Sequence, residues 1–334
     1  MKSARVILLL VISCWSGWIG IERGEAIEVR RAIPSNASDA PAAPAQGTTS
    51  FDGSESRINF TVAGTPGSLA TLPVYPENAP ITIASSAMMI DARTGAVLFF
   101  KNPDIERPVA STQKLLTALL IAEHGGLDSI VHVMPGDCAV EPTKLGFRPG
   151  EIYTKRQLLA AMLVHSCNDA AVCLARNDAG SIAAFAELMN QRATQLGATN
   201  SHFVNPNGLP RPGQYSTARD MARIAFAAYH NPTLREFMRL PGLKFTYYSG
   251  RTRFLDPTNK LVMRSPIFTG MKTGYTAASG RCLVSSVSED GNDIILVQLG
   301  GTHRFLFDDA QRLLQWGVEQ REGVRANRMY SSNN

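Results

Sequence analysis

The run Leu115-Leu116-Thr117-Ala118-Leu119-Leu120-Ile121-Ala122 constrains this chain more than any other stretch. It is apolar on nearly every side. As a helix it has no face to offer water, so it belongs at the centre of a folded domain. Yet a lysine, Lys114, heads it. Lysines are almost never fully buried without a partner, so this one needs a chemical reason.

The segments around this helix predict what encloses it. Ala87 to Ile90 and Ala96 to Phe100 read as two strands joined by a tight turn at Asp91-Ala92-Arg93-Thr94-Gly95. Ser111 to His124 reads as the central helix, closed by Gly125-Gly126. Further helices are expected near 155–177, 181–196 and 217–229, with Thr154 and Gln157 spaced as a capping box for the first. Strands follow near 269–275, 281–288 and 293–300, then a helix near 308–320 that carries Trp316. Two strands first and three last predict an α/β (α+β) domain, in which one antiparallel five-stranded sheet is flanked by helices.

Outside that domain the chain changes character. Residues 1–26 read as an export signal or N-terminal anchor: Lys2 and Arg5 precede the apolar Val6 to Ile12. Val11-Ile12-Ser13-Cys14 also resembles a lipoprotein cleavage box, which would make Cys14 a lipidated first residue. Residues 27–84 are rich in Ala, Pro, Ser, Gly and Thr and read as a low-complexity linker. The folded domain is expected over 85–322 and a polar tail over 323–334. Cys138, Cys167, Cys173 and Cys282 form neither a metal box nor a disulfide framework and read as buried thiols. The six histidines show no metal spacing, which argues against a metal hydrolase. The net charge of +5 is scattered rather than striped, so no nucleic-acid partner is expected.

Three short motifs carry the chemistry. Ser111-Thr112-Gln113-Lys114 places a hydroxyl and an amine one helical turn apart. Serine is a weak nucleophile that needs a base, and lysine can serve only if burial or a nearby cation lowers its pKa. Alone the pattern is weak, since about one chance match is expected in a chain of this length. Ser166-Cys167-Asn168 sits where one apolar helical run gives way to another. There Ser166 is suited to relay a proton and the Asn168 amide to hold a substrate carbonyl, although a capped helix break would look the same. Lys272-Thr273-Gly274 falls on an expected strand, beside which an extended peptide can pair. Gly274 offers no side chain to block that approach, Thr273 is suited to grip a carboxylate, and Lys272 adds a charge that helps keep Lys114 neutral. The backbone N–H groups of Ser111 and Tyr275 are the natural oxyanion hole. An ordinary edge strand with a solvated lysine is the bland alternative. Three motifs in this order and context weaken each separate coincidence.

With these motifs the chain resembles the D-alanyl-D-alanine carboxypeptidase family, the low-molecular-mass penicillin-binding proteins. The likeness extends to Ile90-Asp91-Ala92-Arg93-Thr94-Gly95-Ala96-Val97-Leu98, Pro108-Val109-Ala110, Phe203-Val204-Asn205-Pro206-Asn207-Gly208-Leu209 and Gly270-Met271, and covers roughly residues 85 to 320. It implies a serine β-lactamase/transpeptidase-like fold with a helical subdomain, and a Ser111 acyl-enzyme without metal or organic cofactor. It further implies peptidoglycan stem peptides as substrate, β-lactam antibiotics as inhibitors, and an exported protein with possible N-terminal membrane attachment. Departures exist: Tyr275 stands where the family often has histidine. The family's basic residue before the last helix maps near Leu306, for which Arg304 or His303 are the candidate substitutes. A D,D-endopeptidase cutting cross-links is the nearest alternative. A β-lactamase is disfavoured by the lack of a matching glutamate-asparagine loop near 200–210, and a non-catalytic wall-binding module would keep the fold without the reaction.

Overall fold

A computed structural model describes residues 78–302 and 305–331. The expected leader, Cys14, the expected linker as far as residue 77, and both His303 and Arg304 lie outside the described residues. The elements in chain order are β1 (Ser86–Asp91), β2 (Val97–Lys101), a 3-10 turn (Ala110–Gln113) running into α1 (Lys114–Glu123), β3 (Ile130–His132), α2 (Pro135–Cys138) and β4 (Ile152–Thr154). Next come α3 (Lys155–His165), α4 (Asn168–Ala179), α5 (Ile182–Gln195), α6 (Ala218–His230), α7 (Pro232–Met238), β5 (Leu243–Thr246) and β6 (Thr252–Leu255). The chain closes with β7 (Phe268–Thr276), β8 (Gly280–Glu289), β9 (Asn292–Gly301) and α8 (Leu306–Ser331).

First and last strands meet in one five-stranded sheet of order β2-β1-β9-β8-β7, with every neighbouring pair antiparallel. The expected α/β (α+β) architecture is therefore present. Strand side chains alternate between faces, and here both faces are covered. Met88, Ile90, Ile295 and Val297 pack with Leu115, Leu116 and Leu119 of α1 and Leu158 and Leu159 of α3. Met89, Ile294 and Leu296 pack on the other side against Leu313, Leu314 and Trp316 of α8. Burial of each such side chain is worth about 1.5–3 kcal/mol, enough for α1 to carry a lysine at its buried head.

Local signals behave as their chemistry dictates. The Thr154 hydroxyl accepts the Gln157 N–H at 3.1 Å, and Gln157 Oε1 accepts the Thr154 N–H at 2.9 Å, which closes the capping box that starts α3. Asp91 Oδ1 accepts the N–H groups of Arg93 and Thr94 and fixes the first hairpin turn. Cys167, Cys173 and Cys282 are buried free thiols, and Cys138 is half-buried.

The elements differ from expectation in their details. The helical stretch near 155–177 divides into α3 and α4 at the expected Ser166-Cys167-Asn168 junction, where Ser166 takes φ 66°. The last helix continues through Ser331 instead of stopping near 320, so the segment expected as a polar tail is largely helical. No proline follows Leu306 to stop it. The hairpins β3–β4 and β5–β6 were not anticipated; their strands are only three and four residues long.

Candidate active site

All three motifs converge at the edge of the sheet where β7 meets the head of α1. The nucleophile turn is held from two sides by glycines. A Cβ on Gly274 would lie 2.8 Å from the Ser111 nitrogen, and one on Gly208 would lie 2.1 Å from the Ala110 carbonyl oxygen. Gly208 also has φ +82°, which a side chain disfavours. Gly208→Ala is accordingly expected to cost about 2–4 kcal/mol by urea unfolding and to slow any acylation of Ser111. An unchanged midpoint together with unchanged acylation would show that the 205–209 loop does not set the turn.

That loop is itself tied down. Asn205 Oδ1 accepts the N–H groups of Asn207 and Gly208, its Nδ2 donates to the Leu209 carbonyl at 2.9 Å, and the Gln113 amide donates to the Asn205 carbonyl at 2.5 Å. These bonds aim the Asn207 carbonyl at the lysine. Lys114 is fully buried, and its Nζ donates to that carbonyl at 2.6 Å and to Asn168 Oδ1 at 2.6 Å. The third neighbour of Nζ is Ser111 Oγ, at 2.7 Å.

This geometry suits a neutral amine. A neutral lysine has two N–H groups and one lone pair; two carbonyl oxygens occupy the N–H groups, and the lone pair faces the Ser111 hydroxyl. An ammonium would fill the same directions, with the hydroxyl turned to the Asn207 carbonyl at 3.2 Å. The electrostatics favour the neutral form. Burial first, and the charge of Lys272 second, hold the Lys114 pKa well below the usual lysine range, against weaker opposing contributions from Cys167 and Asp169. Lys272 is also fully buried, and burial pulls its pKa down to about 7. Its Nζ donates to the Thr273 carbonyl at 2.9 Å.

Asn168 departs from the expected arrangement. Its Nδ2 donates to the carbonyls of Glu141 and Pro142, both at 2.9 Å, so its two N–H groups are occupied and its oxygen faces Lys114. In this structure the amide orients the lysine and has no N–H to spare for a substrate carbonyl. The next residue braces the same loop: the Asp169 carboxylate accepts the N–H groups of Leu145 and Gly146. Ser166 sits two residues before Asn168, buried, and its hydroxyl makes no hydrogen bond with a protein group among the described residues.

On the sheet side, β7 pairs with β8 along one edge, and no strand among the described residues pairs with the other. Thr273 is half-buried, and Tyr275 is 59% exposed. A cleft of about 240 Å³ continues from the nucleophile turn between Gly208, Arg211, Gln214, Thr276 and Ala278. Leu306, the position of the expected basic residue, is buried in the apolar layer beneath α8.

Backbone strain marks the same places. Five non-glycine residues among those described have positive φ, and three of them are Ala110, Ser166 and Met271. Each belongs to or directly precedes one of the three motifs. Such conformations cost about 1–3 kcal/mol each and persist where the surroundings enforce them. The left-handed Ser166, the Asn207 carbonyl and the locked Asn168 amide were all missed by sequence reasoning. Only the Asn205-Pro206-Asn207-Gly208 turn signal hinted at any of them.

Comparisons with known proteins place the chain in a family. The family model described as D-alanyl-D-alanine carboxypeptidase matches residues 74–303. The chain is 33% identical over 240 residues to D-alanyl-D-alanine carboxypeptidase DacB2 of Mycobacterium tuberculosis, covering 70% of this chain and 82% of that one. It is 32% identical to a D-alanyl-D-alanine endopeptidase of Pseudomonas aeruginosa, covering 78% and 84% respectively. Among solved structures, a D-alanyl-D-alanine carboxypeptidase from M. tuberculosis superposes with a TM-score of 0.70 at 32% identity, covering 74% of this chain and 96% of that one.

Proposed function

This chain belongs to the D-alanyl-D-alanine carboxypeptidase family of serine hydrolases, and on that premise we propose that it removes the terminal D-alanine from peptidoglycan stem peptides through an acyl-enzyme on Ser111. The observation that carries the reading is the set of three short contacts at Lys114 Nζ.

With its two N–H groups held by Asn168 and Asn207, the lysine lone pair takes the Ser111 proton as Oγ attacks the penultimate D-alanine carbonyl. The N–H groups of Ser111 and Tyr275 receive the oxyanion. As the tetrahedral intermediate collapses, Ser166 passes the proton from Lys114 to the departing D-alanine nitrogen. Water, deprotonated by Lys114, then hydrolyses the ester. Thr273 receives the substrate carboxylate, Gly274 lets the peptide lie along β7, and Lys272 keeps Lys114 uncharged. No metal or organic cofactor enters this scheme. β-Lactams acylate the same serine.

The surrounding chain supports an envelope location. In this reading residues 1–26 export or anchor the protein, with Cys14 as a lipidation candidate, and 27–84 space the domain of 85–322 from the membrane. No helix among the described residues is long and apolar enough to cross a membrane.

A second reading, a D,D-endopeptidase, is favoured by the relative of that name and by the apolar Leu306. The test is to incubate the full chain with an N-acetylated peptide ending in Lys-D-Ala-D-Ala and with a cross-linked muropeptide dimer. Release of D-alanine from the linear peptide is expected. Cleavage of the dimer alone would replace the carboxypeptidase reading with the endopeptidase one.

A further inference from the structure

Arg281 is an arginine without a carboxylate. Several arginines of the domain pair with acidic side chains, among them Arg156 with Asp128, Arg176 with Asp137, Arg192 with Glu123 and Arg219 with Asp104, while Arg107 bonds the Ser86 hydroxyl and Arg251 lies over the Tyr247 ring. Arg281 has no such partner among the described residues, and its Nε is buried without a hydrogen bond. The buried Nε is closed to a ligand, but the terminal nitrogens of this half-buried guanidinium have no hydrogen bond or ion pair among the described residues and are the donors left for an anion.

Its position says which anion. Arg281 lies on β8 directly opposite Tyr275 of β7, and Thr273 lies opposite Leu283. Thr273 and Arg281 are thus diagonal neighbours on one face of the sheet, a separation long side chains bridge. The guanidinium carbon sits 4.4 Å from the centre of the Tyr275 ring. That contact brings the guanidinium from β8 onto a side chain of β7, the strand whose other edge no described strand pairs with. In the carboxypeptidase reading above, the substrate chain runs along this edge, with its scissile carbonyl at the Ser111 and Tyr275 N–H groups. Its terminal carboxylate, one extended residue further, then lies beside Thr273. Leu306, at the position of the expected basic residue, is apolar and buried, and the candidates His303 and Arg304 lie outside the described residues.

We propose that Arg281, supported on Tyr275, is the cation that holds the substrate's C-terminal carboxylate together with Thr273. This rests on the carboxypeptidase reading above and makes Arg281 a specificity-determining residue for free C-termini. It also gives the exposed Tyr275 a side-chain role that its backbone N–H does not require.

The test compares the N-acetylated Lys-D-Ala-D-Ala peptide as free acid and as C-terminal amide, using the full chain, Arg281→Gln and Arg281→Lys. In Arg281→Gln the ratio of kcat/KM for acid over amide is expected to fall about ten- to a hundredfold, the loss of a charge-assisted pair. Arg281→Lys is expected to recover part of it. A general structural defect would lower both substrates together and leave the ratio alone. An unmoved ratio, in an Arg281→Gln protein that penicillin still acylates, overturns the proposal while the catalytic reading stands. A natural chain that neither releases D-alanine nor takes up penicillin overturns both.

Discussion

Replacing Ser111 with alanine is expected to abolish the covalent adduct that penicillin forms with this protein, and to reduce D-alanine release by about 10⁶-fold, to the background level. Intact-mass spectrometry reads the first effect directly: one added penicillin mass on the natural chain and none on Ser111→Ala. The substitution removes one oxygen from a half-buried position, so the fold has little reason to respond. Two features make the loss complete. The hydroxyl is 2.7 Å from Lys114 Nζ, and no other serine or threonine hydroxyl among the described residues contacts that nitrogen. Its turn is also held by Gly208 and Gly274, so another residue cannot shift into its place. An adduct that survives in Ser111→Ala would remove Ser111 from the mechanism. No adduct on either folded protein would favour a wall-binding module.

The second large effect concerns the base. Lys114→Ala is expected to lower the rate of acylation by about 10²–10⁴-fold, the usual contribution of a positioned general base, while leaving Ser111 in place. The pH dependence distinguishes a base from a merely structural lysine. As the proposed base Lys114 would act only when neutral, so kcat/KM should rise with pH as its lowered pKa is passed and level off above it. Part of that lowering comes from the charge of Lys272. Lys272→Gln removes a positive neighbour, makes protonation of Lys114 easier and raises its pKa. The acid limb of the profile should therefore move to higher pH. A limb that stays put or moves down would mean that Lys114 is not the group being titrated.

Much of this site was legible because its chemistry leaves marks at fixed spacing. Ser111 and Lys114 are one turn apart, and the apolar run after them announces burial. The sheet was legible because strands buried on both faces read as short β-branched and aliphatic runs between turn residues. What escaped notice depends on geometry that residue types do not encode. Ser166 adopts a left-handed backbone normally left to glycine or asparagine, and only the packing around α3 and α4 enforces it. The orientation of the Asn168 amide follows from two carbonyls on a loop more than twenty residues away in sequence. The Asn207 carbonyl is backbone, so no side-chain pattern points to it. Arg281 looked like any strand arginine until its register with Tyr275 was known.

The two buried lysines reach beyond catalysis to the folding equilibrium itself. In the unfolded chain both amines keep their protons until pH approaches the ordinary value of 10.5, whereas in the native state Lys272 releases its proton near 7 and Lys114 also well below 10.5. Between those limits the unfolded state binds more protons, so the contribution of these residues to stability rises with pH across that window and falls as the medium acidifies towards 7. Folding at neutral to alkaline pH therefore expels protons into the surroundings. The heat of unfolding measured there must include the ionisation heat of whatever buffer supplies those protons, and it will differ between phosphate and Tris.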